Sequence, residues 1–262
     1  MKKIYLAALT LAMTACVSND DLNPVDNYGY IDVNVSNDPV MVTRADQTVS
    51  GTDLSSWTIT ANGETDYNLG ETTKVKAGTY SITAKNATDV NVANAHDNNW
   101  GKPYYEKTVD NISVFAGETK HVTIDCGTAK NSKLTLVNSL NSTVFTNVKL
   151  HAKKGESYLA MDGTKSVFYS VNTNVEYYIT YNYNYTDVNG TTQSEEKVIK
   201  NTVNSQEQNF NIKIANAATD YQITLSSTDN GTITVTIKYN DDFTPDNSTI
   251  LEFDAATGIQ KQ

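Results

Sequence analysis

Apolar residues recur at every second position over most of this chain. The alternation is clear in Ile31, Val33 and Val35. A period of two is typical of strands that are buried on one face. The same pattern returns in short runs at residues 57–61, 80–84, 112–114, 122–124, 134–136, 148–152, 167–171, 212–214, 223–225 and 233–239. The pattern predicts an all-β chain of many short strands.

Small and polar residues separate these runs. Asn62-Gly63 and Asn189-Gly190 are pairs favoured at hairpin turns, because Asn and Gly tolerate positive φ. Helical spacing is confined to residues 138–146, where we expect a short helix. Repeated strand–turn–strand units are typical of β-sandwiches.

A weak internal repeat predicts two Ig-like sandwiches in tandem. Residues 75–82 are echoed by residues 171–179, and residues 118–124 by residues 207–212. Each half is about as long as one ordinary domain. The polar segment 127–131 is the predicted boundary.

The first sixteen residues have the order of a bacterial lipoprotein signal. Lys2 and Lys3 precede an apolar run at residues 4–13, which is too short to span a hydrocarbon core. A small residue then precedes Cys16. We expect signal cleavage before Cys16 and lipid on its sulfur. Residues 16–27 lack apolar periodicity, and we predict that they form a flexible tether.

Pattern and signal together predict five segments. They are a lipoprotein signal peptide (residues 1–15), the acylated cysteine and flexible tether (16–27), an N-terminal β-sandwich (28–128), a C-terminal β-sandwich (129–241), and a C-terminal tail or final strand (242–262). The predicted localisation is the outer membrane, with lipid anchoring and exposure on the cell surface.

The chain is acidic, with a formal net charge of −10. Loss of Lys2 and Lys3 with the signal makes it more acidic still. Negative charge repels phosphate backbones and anionic headgroups. We therefore expect no nucleic-acid partner.

Residue types that carry catalysis or bind metals are sparse. Lipidation of Cys16 leaves Cys126 alone, which excludes a disulfide framework, and the position of Cys126 at the end of an alternating run favours a buried thiol over a reactive one. His96, His121 and His151 lack metal-ligand spacing. No nucleophile elbow or phosphate loop occurs. We expect no catalysis, no metal and no other cofactor.

Tyrosines occupy alternate positions over residues 177–185. Tyr181, Tyr183 and Tyr185 lie on one side of a strand, where a row of flat rings could form a glycan platform. The alternative is packing of the rings, buried near Tyr177 and exposed towards Tyr185. Both interpretations stay open at this point.

Arg44 is the only arginine of the chain, and it follows the first predicted strand. An arginine-specific protease could cut there and free that strand. Fimbrial subunits that assemble by strand exchange are matured in this manner, and an added strand would restore the sandwich. The alternative is an ordinary loop charge.

Segments 103–136 and 142–152 carry an ordered set of residues. The set is Pro103, Tyr104, Ala116, Gly117, Cys126, Asn131 and Phe145. This order resembles the Bacteroidota outer-membrane lipoprotein family known as domain of unknown function 4493, although Lys107 replaces an expected glycine. The resemblance extends over about residues 28–240 and implies sandwich domains, a short helix containing Phe145 and surface display, without an activity. The tract 18–21 is similar to the signal that sends such lipoproteins to the outer face.

We therefore predict a lipid-anchored cell-surface protein with a structural or adhesive role, a fimbria-associated one included, and without catalysis. The predicted partners are the membrane, through the N-terminal lipid, and fimbrial or other surface proteins. The alternative is a surface glycan-binding lipoprotein that uses the tyrosine row.

Overall fold

The computed structural model describes residues 27–37, 54–63, 66–96, 99–203, 206–228, 231–239 and 249–261. Within these ranges the elements are strands, apart from a 3-10 turn at Leu54–Ser56 and a short helix, α1, at Val90–Ala93. The all-β sandwich prediction is confirmed. In the described part of the chain, no helix has the length and apolar character needed to cross a bilayer.

The first sandwich packs two sheets around one core. Its strands are β1 (Tyr28–Ser36), β2 (Thr58–Asn62), β3 (Tyr67–Asn68), β4 (Thr72–Lys76), β5 (Gly78–Lys85), β8 (Glu106–Val114) and β9 (Thr119–Asp125). One sheet has the order β4-β1-β9 and the other β3-β2-β5-β8. The alternating residues Ile31, Ile59, Ile82 and Ile124 are buried between them. Two short strands, β6 (Asn94–His96) and β7 (Asn99–Gly101), form a separate hairpin.

The second sandwich is larger. Its strands are β10 (Asn131–Ser139), β11 (Phe145–Lys154), β12 (Ser157–Met161), β13 (Val167–Ser170), β14 (Asn174–Thr186), β15 (Thr192–Ile199), β16 (Asn201–Val203), β17 (Gln206–Gln208), β18 (Phe210–Lys213), β19 (Asp220–Ser227), β20 (Thr232–Tyr239) and β21 (Thr249–Asp254). One sheet has the order β13-β10-β19-β20-β21, and the other has the order β12-β11-β14-β15 with β18 also paired to β14. Strands β16 and β17 form a hairpin.

The two sandwiches share a strand topology. In each, the opening strand (β1 or β10) pairs antiparallel with one neighbour (β4 or β13) and parallel with a distant one (β9 or β19). In the first half of the predicted repeat, residues 75–82 run from the end of β4 into β5, and residues 171–179 run from just after β13 into β14. The second half of the predicted repeat is wrong, because the counterpart of β9 is β19. Residues 207–212 lie mostly in β17 and β18, outside the sheet that contains β19.

The last described strand completes the second sandwich. Of the two alternatives for residues 242–262, the structure has a final strand, β21, which pairs with β20. Phe253 is fully buried in the core and Ala255 nearly so. In the first sandwich, the corresponding edge at β9 carries no further strand among the described residues.

The short helix predicted at residues 138–146 is wrong, since the structure describes this whole segment and has a turn between β10 and β11. The carbonyl of Asn141 accepts hydrogen bonds from the amides of Val144 at 3.1 Å and Phe145 at 2.8 Å. The side chain of Asn141 accepts a bond from the Thr143 amide at 3.0 Å. Such an Asx turn satisfies the backbone locally and lets a strand start at once.

Two buried asparagines fix the segment that leads from the β6–β7 hairpin into β8. Asn131 is fully buried; its amide group donates to the carbonyl of Lys102 at 3.0 Å and accepts from the amide of Tyr104 at 2.9 Å. Asn86 donates to the carbonyl of Pro103 at 2.7 Å. Because Asn131 belongs to β10, its side chain ties the segment before β8 in the first sandwich to the start of the second.

Candidate functional site

Strand β1 is the central strand of its sheet and is paired along both edges. It runs antiparallel to β4 over Tyr28–Asp32 and parallel to β9 over Tyr30–Ser36. Ile31, Val33 and Val35 are at most 5% exposed. Removal of this strand would uncover apolar core and two rows of backbone hydrogen-bonding groups.

Cys16 and Arg44 lie outside the described residues, so lipidation, signal cleavage and protease cleavage stay predictions. In the sequence, Arg44 comes eight residues after the last residue of β1, and Cys16 comes twelve residues before the first. The order along the chain is therefore anchor, β1, cleavage site and the remaining strands. A cut after Arg44 would leave β1 covalently joined only to the anchor.

The tyrosine row does not form one exposed platform. Tyr181 is fully buried, and its hydroxyl donates to the carbonyl of Ala255 at 2.7 Å. Tyr183 packs against the core, and its ring lies 5.8 Å from that of Tyr185. The inclusion of Tyr181 in a glycan platform is therefore wrong. The alternative, packing inward near Tyr177 with exposure towards Tyr185, is confirmed.

The opposite face of β14 carries an aromatic cluster that the sequence analysis did not single out. Tyr178 stacks on His151, with ring centroids 4.5 Å apart and 3° between the planes, and Tyr158 meets Tyr178 edge-on at 5.2 Å. Burial, and after it the neighbouring Lys149, lower the pKa of His151 below its ordinary value. Nε2 of His151 lies 2.9 Å from Oγ1 of Thr180. The residues of this cluster alternate along their strands with the buried residues. This alternation is the sequence signal that could have revealed them.

The Glu176 carboxylate accepts several hydrogen bonds at one end of this face. The Tyr158 hydroxyl donates to its Oε1 at 2.6 Å, the Asn209 amide donates to the same oxygen, and Lys153 Nζ lies 3.2 Å from Oε2. These bonds, those of Tyr158 and Asn209 first, lower the pKa of Glu176 to about 2. Hydrogen bonds to a carboxylate favour its charged form.

This depressed pKa predicts an acid-dependent loss of stability. The folded pKa lies below the ordinary value of 4.5, so the stabilisation by Glu176 is present above about pH 4.5 and is lost as the pH falls towards about 2. We expect Glu176→Gln to lower the melting temperature at neutral pH and to reduce its fall over this acidic range. The effect should be about 1 kcal/mol or less, because solvent screens a partly exposed group.

Thermal unfolding followed by circular dichroism at a series of pH values measures this effect. Glu207→Gln, an exposed position in β17, is the matched control and should follow the wild-type curve. Identical pH dependence in wild type and Glu176→Gln would contradict the assignment.

The remaining candidate residues lie in or beside β9. Cys126 is buried, and burial together with Asp125 raises the pKa of its thiol to about 11, which confirms the buried-thiol interpretation. His121 is exposed on β9, with Nδ1 2.7 Å from Oδ2 of Asp32. The described residues contain no group of three or more His, Cys, Asp or Glu side chains placed to hold a metal ion.

The chain matches no protein-family model and no curated protein. Among solved structures, it is similar to the tip fimbrial protein Mfa3 from Porphyromonas gingivalis with C-terminal truncation, at 8% identity over 81% of this chain and 98% of that one, with a TM-score of 0.35. A candidate adhesin from Bacteroides ovatus matches at 10% identity over 65% of this chain and 81% of that one, with a TM-score of 0.28. Both TM-scores are below 0.5, so neither structure defines the fold or function of this chain.

Proposed function

We propose that this protein is a non-catalytic cell-surface protein with a structural or adhesive role, anchored in the outer membrane by lipid on Cys16. Within this class, we favour a fimbria-associated role. The observation that carries the proposal is the position of β1. It is a central strand with three buried apolar side chains, and the sole arginine of the chain follows it.

A cut after Arg44 would convert β1 into a replaceable strand. Only noncovalent contacts would then hold it in its sheet, chiefly backbone hydrogen bonds and the packing of Ile31, Val33 and Val35. Its departure would leave the edges of β4 and β9 open across a gap of roughly 9–10 Å, twice the spacing of neighbouring strands. An extended segment of another subunit, with apolar residues at alternate positions, supplies both the backbone hydrogen bonds and the apolar contacts and fills such a gap.

The proposed anchor lies on the same side of the cut as β1. Acyl chains stabilise membrane attachment by about 0.8 kcal/mol per buried methylene, so a multiply acylated Cys16 would hold the protein durably. After cleavage, the two sandwiches would stay at the membrane only as long as β1 remains in its sheet. Strand exchange would therefore also release them from the anchor.

Proteolysis of the full-length protein tests the fimbria-associated role. Incubation with an arginine-specific protease should give one cut, a new N-terminus at Ala45, and larger assemblies by size-exclusion chromatography. A synthetic peptide of residues 28–36 in excess should suppress assembly, whereas the same peptide with Val33→Asp should not. Arg44→Lys is the matched control, and it should be neither cut nor assembled.

An uncut wild-type chain, or a cut chain that never associates, would count against the fimbria-associated role. Mass spectrometry of the N-terminus tests the anchor separately. Acylated Cys16 as the first residue is expected, while an intact Met1 or a bare Cys16 thiol would contradict lipid anchoring.

A further inference from the structure

The outer face of the sheet β12-β11-β14-β15 contains an open groove of about 500 Å³. Three cross-strand rows form its floor. The rows are Asn182 with Glu196, Lys149 with Thr180 and Val198, and His151 with Tyr178. Asn147 adds a further side chain at the β11 side.

A second depression, of about 350 Å³, lies further along β11 and β14, where Lys153, Asn174 and Glu176 line it. From Asn174 to Asn182 the two depressions extend along β14 for about 27 Å at the usual rise per strand residue. Their shape therefore suits an extended polymer chain more than a compact small molecule.

The groups that line the groove are amides, a hydroxyl, a carboxylate, aromatic rings, the ammonium group of Lys149 and the side chain of Val198. Asn147 and Asn182 can each donate and accept hydrogen bonds, as Thr180 can, and Glu196 accepts them. Alcohol groups need donors and acceptors side by side, because each hydroxyl does both. The rings of Tyr178 and His151 add flat apolar surface among these polar groups. This combination is complementary to a sugar, which carries hydroxyls at its edges and C–H groups on its faces.

The charges of the lining residues favour a sugar over other extended ligands. Within the groove, Lys149 and Glu196 carry opposite charges, and in the adjoining depression Lys153 lies 3.2 Å from Glu176. Lys154 also lines that depression, so the lining has one more positive than negative group, on a chain of net charge −10, which disfavours a polyanion. A peptide that adds a strand needs an open sheet edge, whereas β11 and β14 are each paired on both sides here.

The aromatic part of the groove is positioned before any ligand arrives. The Tyr178 ring stacks on His151 and also makes an edge-type contact with Tyr158. Asn147 has a positive φ of 51°, at an irregularity where the pairing of β11 with β14 shifts register. Such bulges re-aim a side chain. Fixed groups of this kind reduce the ordering cost of binding.

We propose that this groove binds an uncharged oligosaccharide, with the rings of Tyr178 and His151 as the apolar contact surface and Asn147, Asn182 and Glu196 as hydrogen-bonding groups. The proposal deepens the adhesive role proposed above and rests on it for exposure of this face outside the cell. It uses the face of β14 opposite to the buried Tyr181.

Glycan binding by the full-length, detergent-extracted protein tests this site. The probes are oligosaccharides of glucose, galactose, mannose and N-acetylglucosamine, with sialylated oligosaccharides as the charged arm. We expect binding of at least one uncharged probe, and calorimetry should show a roughly tenfold weaker affinity for Tyr178→Ala. Tyr178→Phe should retain binding, because it keeps the ring. Tyr185→Ala, on the same strand outside the groove, is the matched control and should bind like wild type.

The variants Asn182→Ala and Glu196→Gln extend the test to partly or fully exposed positions, where folding is less at risk. Thermal unfolding of each variant shows whether a loss of binding comes from the changed side chain or from a loss of folding. The proposal is overturned if no uncharged probe binds, if sialylated probes alone bind, or if Tyr185→Ala abolishes binding while the groove variants retain it. Glycan binding by a chain that does not assemble after proteolysis would support the groove and count against the fimbria-associated role alone.

Discussion

Gly29→Ala is expected to destabilise the first sandwich by about 3 kcal/mol, a typical cost of forcing extra atoms into a packed site. A Cβ at this position would lie 2.7 Å from Cγ1 of Val114 and 3.0 Å from the carbonyl oxygen of Glu118, with the carbonyl oxygen of Phe115 closer still. Two of these three atoms belong to the backbone of the β8–β9 connection, so no side-chain rotation can relieve the clash. Either β1 or the connection must shift.

Urea denaturation measures this effect. Gly70→Ala is the matched control, because a Cβ there meets nothing within 4 Å, and its stability should equal that of wild type or slightly exceed it. A shift of β1 would weaken its pairing, so Gly29→Ala should also assemble faster than wild type after cleavage at Arg44. Equal stability of the Gly29→Ala and Gly70→Ala variants would contradict the close approach of β1 to this connection.

Asn131→Ala is expected to cost about 3 kcal/mol, because it leaves two backbone groups without their partner. The carbonyl of Lys102 loses a donor at 3.0 Å, and the buried amide of Tyr104 loses an acceptor at 2.9 Å. Alanine is also smaller, so it leaves a void at a fully buried position. The segment before β8 would lose its attachment to β10.

Equilibrium unfolding in urea, followed by fluorescence, checks this prediction. Asn211→Ala is the matched control, since Asn211 is exposed and its one side-chain bond, to the carbonyl of Asn209, is 3.5 Å long. This control should change stability by less than about 0.5 kcal/mol. An equally small effect of Asn131→Ala would show that water can replace its hydrogen bonds.

The strands could be predicted where burial alternates along one segment. Ile31, Val33 and Val35 show the local signal, and the structure buries all three. Strand β15 gave no such signal, because Ile199 is its only buried residue. Its strand conformation comes from pairing with β14, which is an interaction with a distant segment. Tertiary contacts of this kind are absent from a hydrophobic pattern.

That the tyrosine row lies on the buried face of its strand could have been inferred from the sequence. Val175 and Ile179 share the parity of Tyr181, and apolar residues of one parity indicate the buried face. The groove could not have been inferred from the sequence, because it depends on which strands are neighbours and on the register in which they pair. Asn147 and Glu196 reach one surface only through the bulge in β11 and the pairing of β14 with β15. Neither feature has a local sequence signature.

The parallel partnership of β1 with β9 has a consequence for biosynthesis. Ser36 and Asp125 are 89 residues apart, yet their strands are neighbours in the sheet. At translation rates of about 5–20 residues per second, the first strand waits roughly 4–18 s for its partner to be made. Throughout that interval the apolar side chains of β1 lack their final packing partners. Pairing between such remote segments is itself slow. The first strand can therefore complete its sheet only after nearly the whole of the first sandwich has been made.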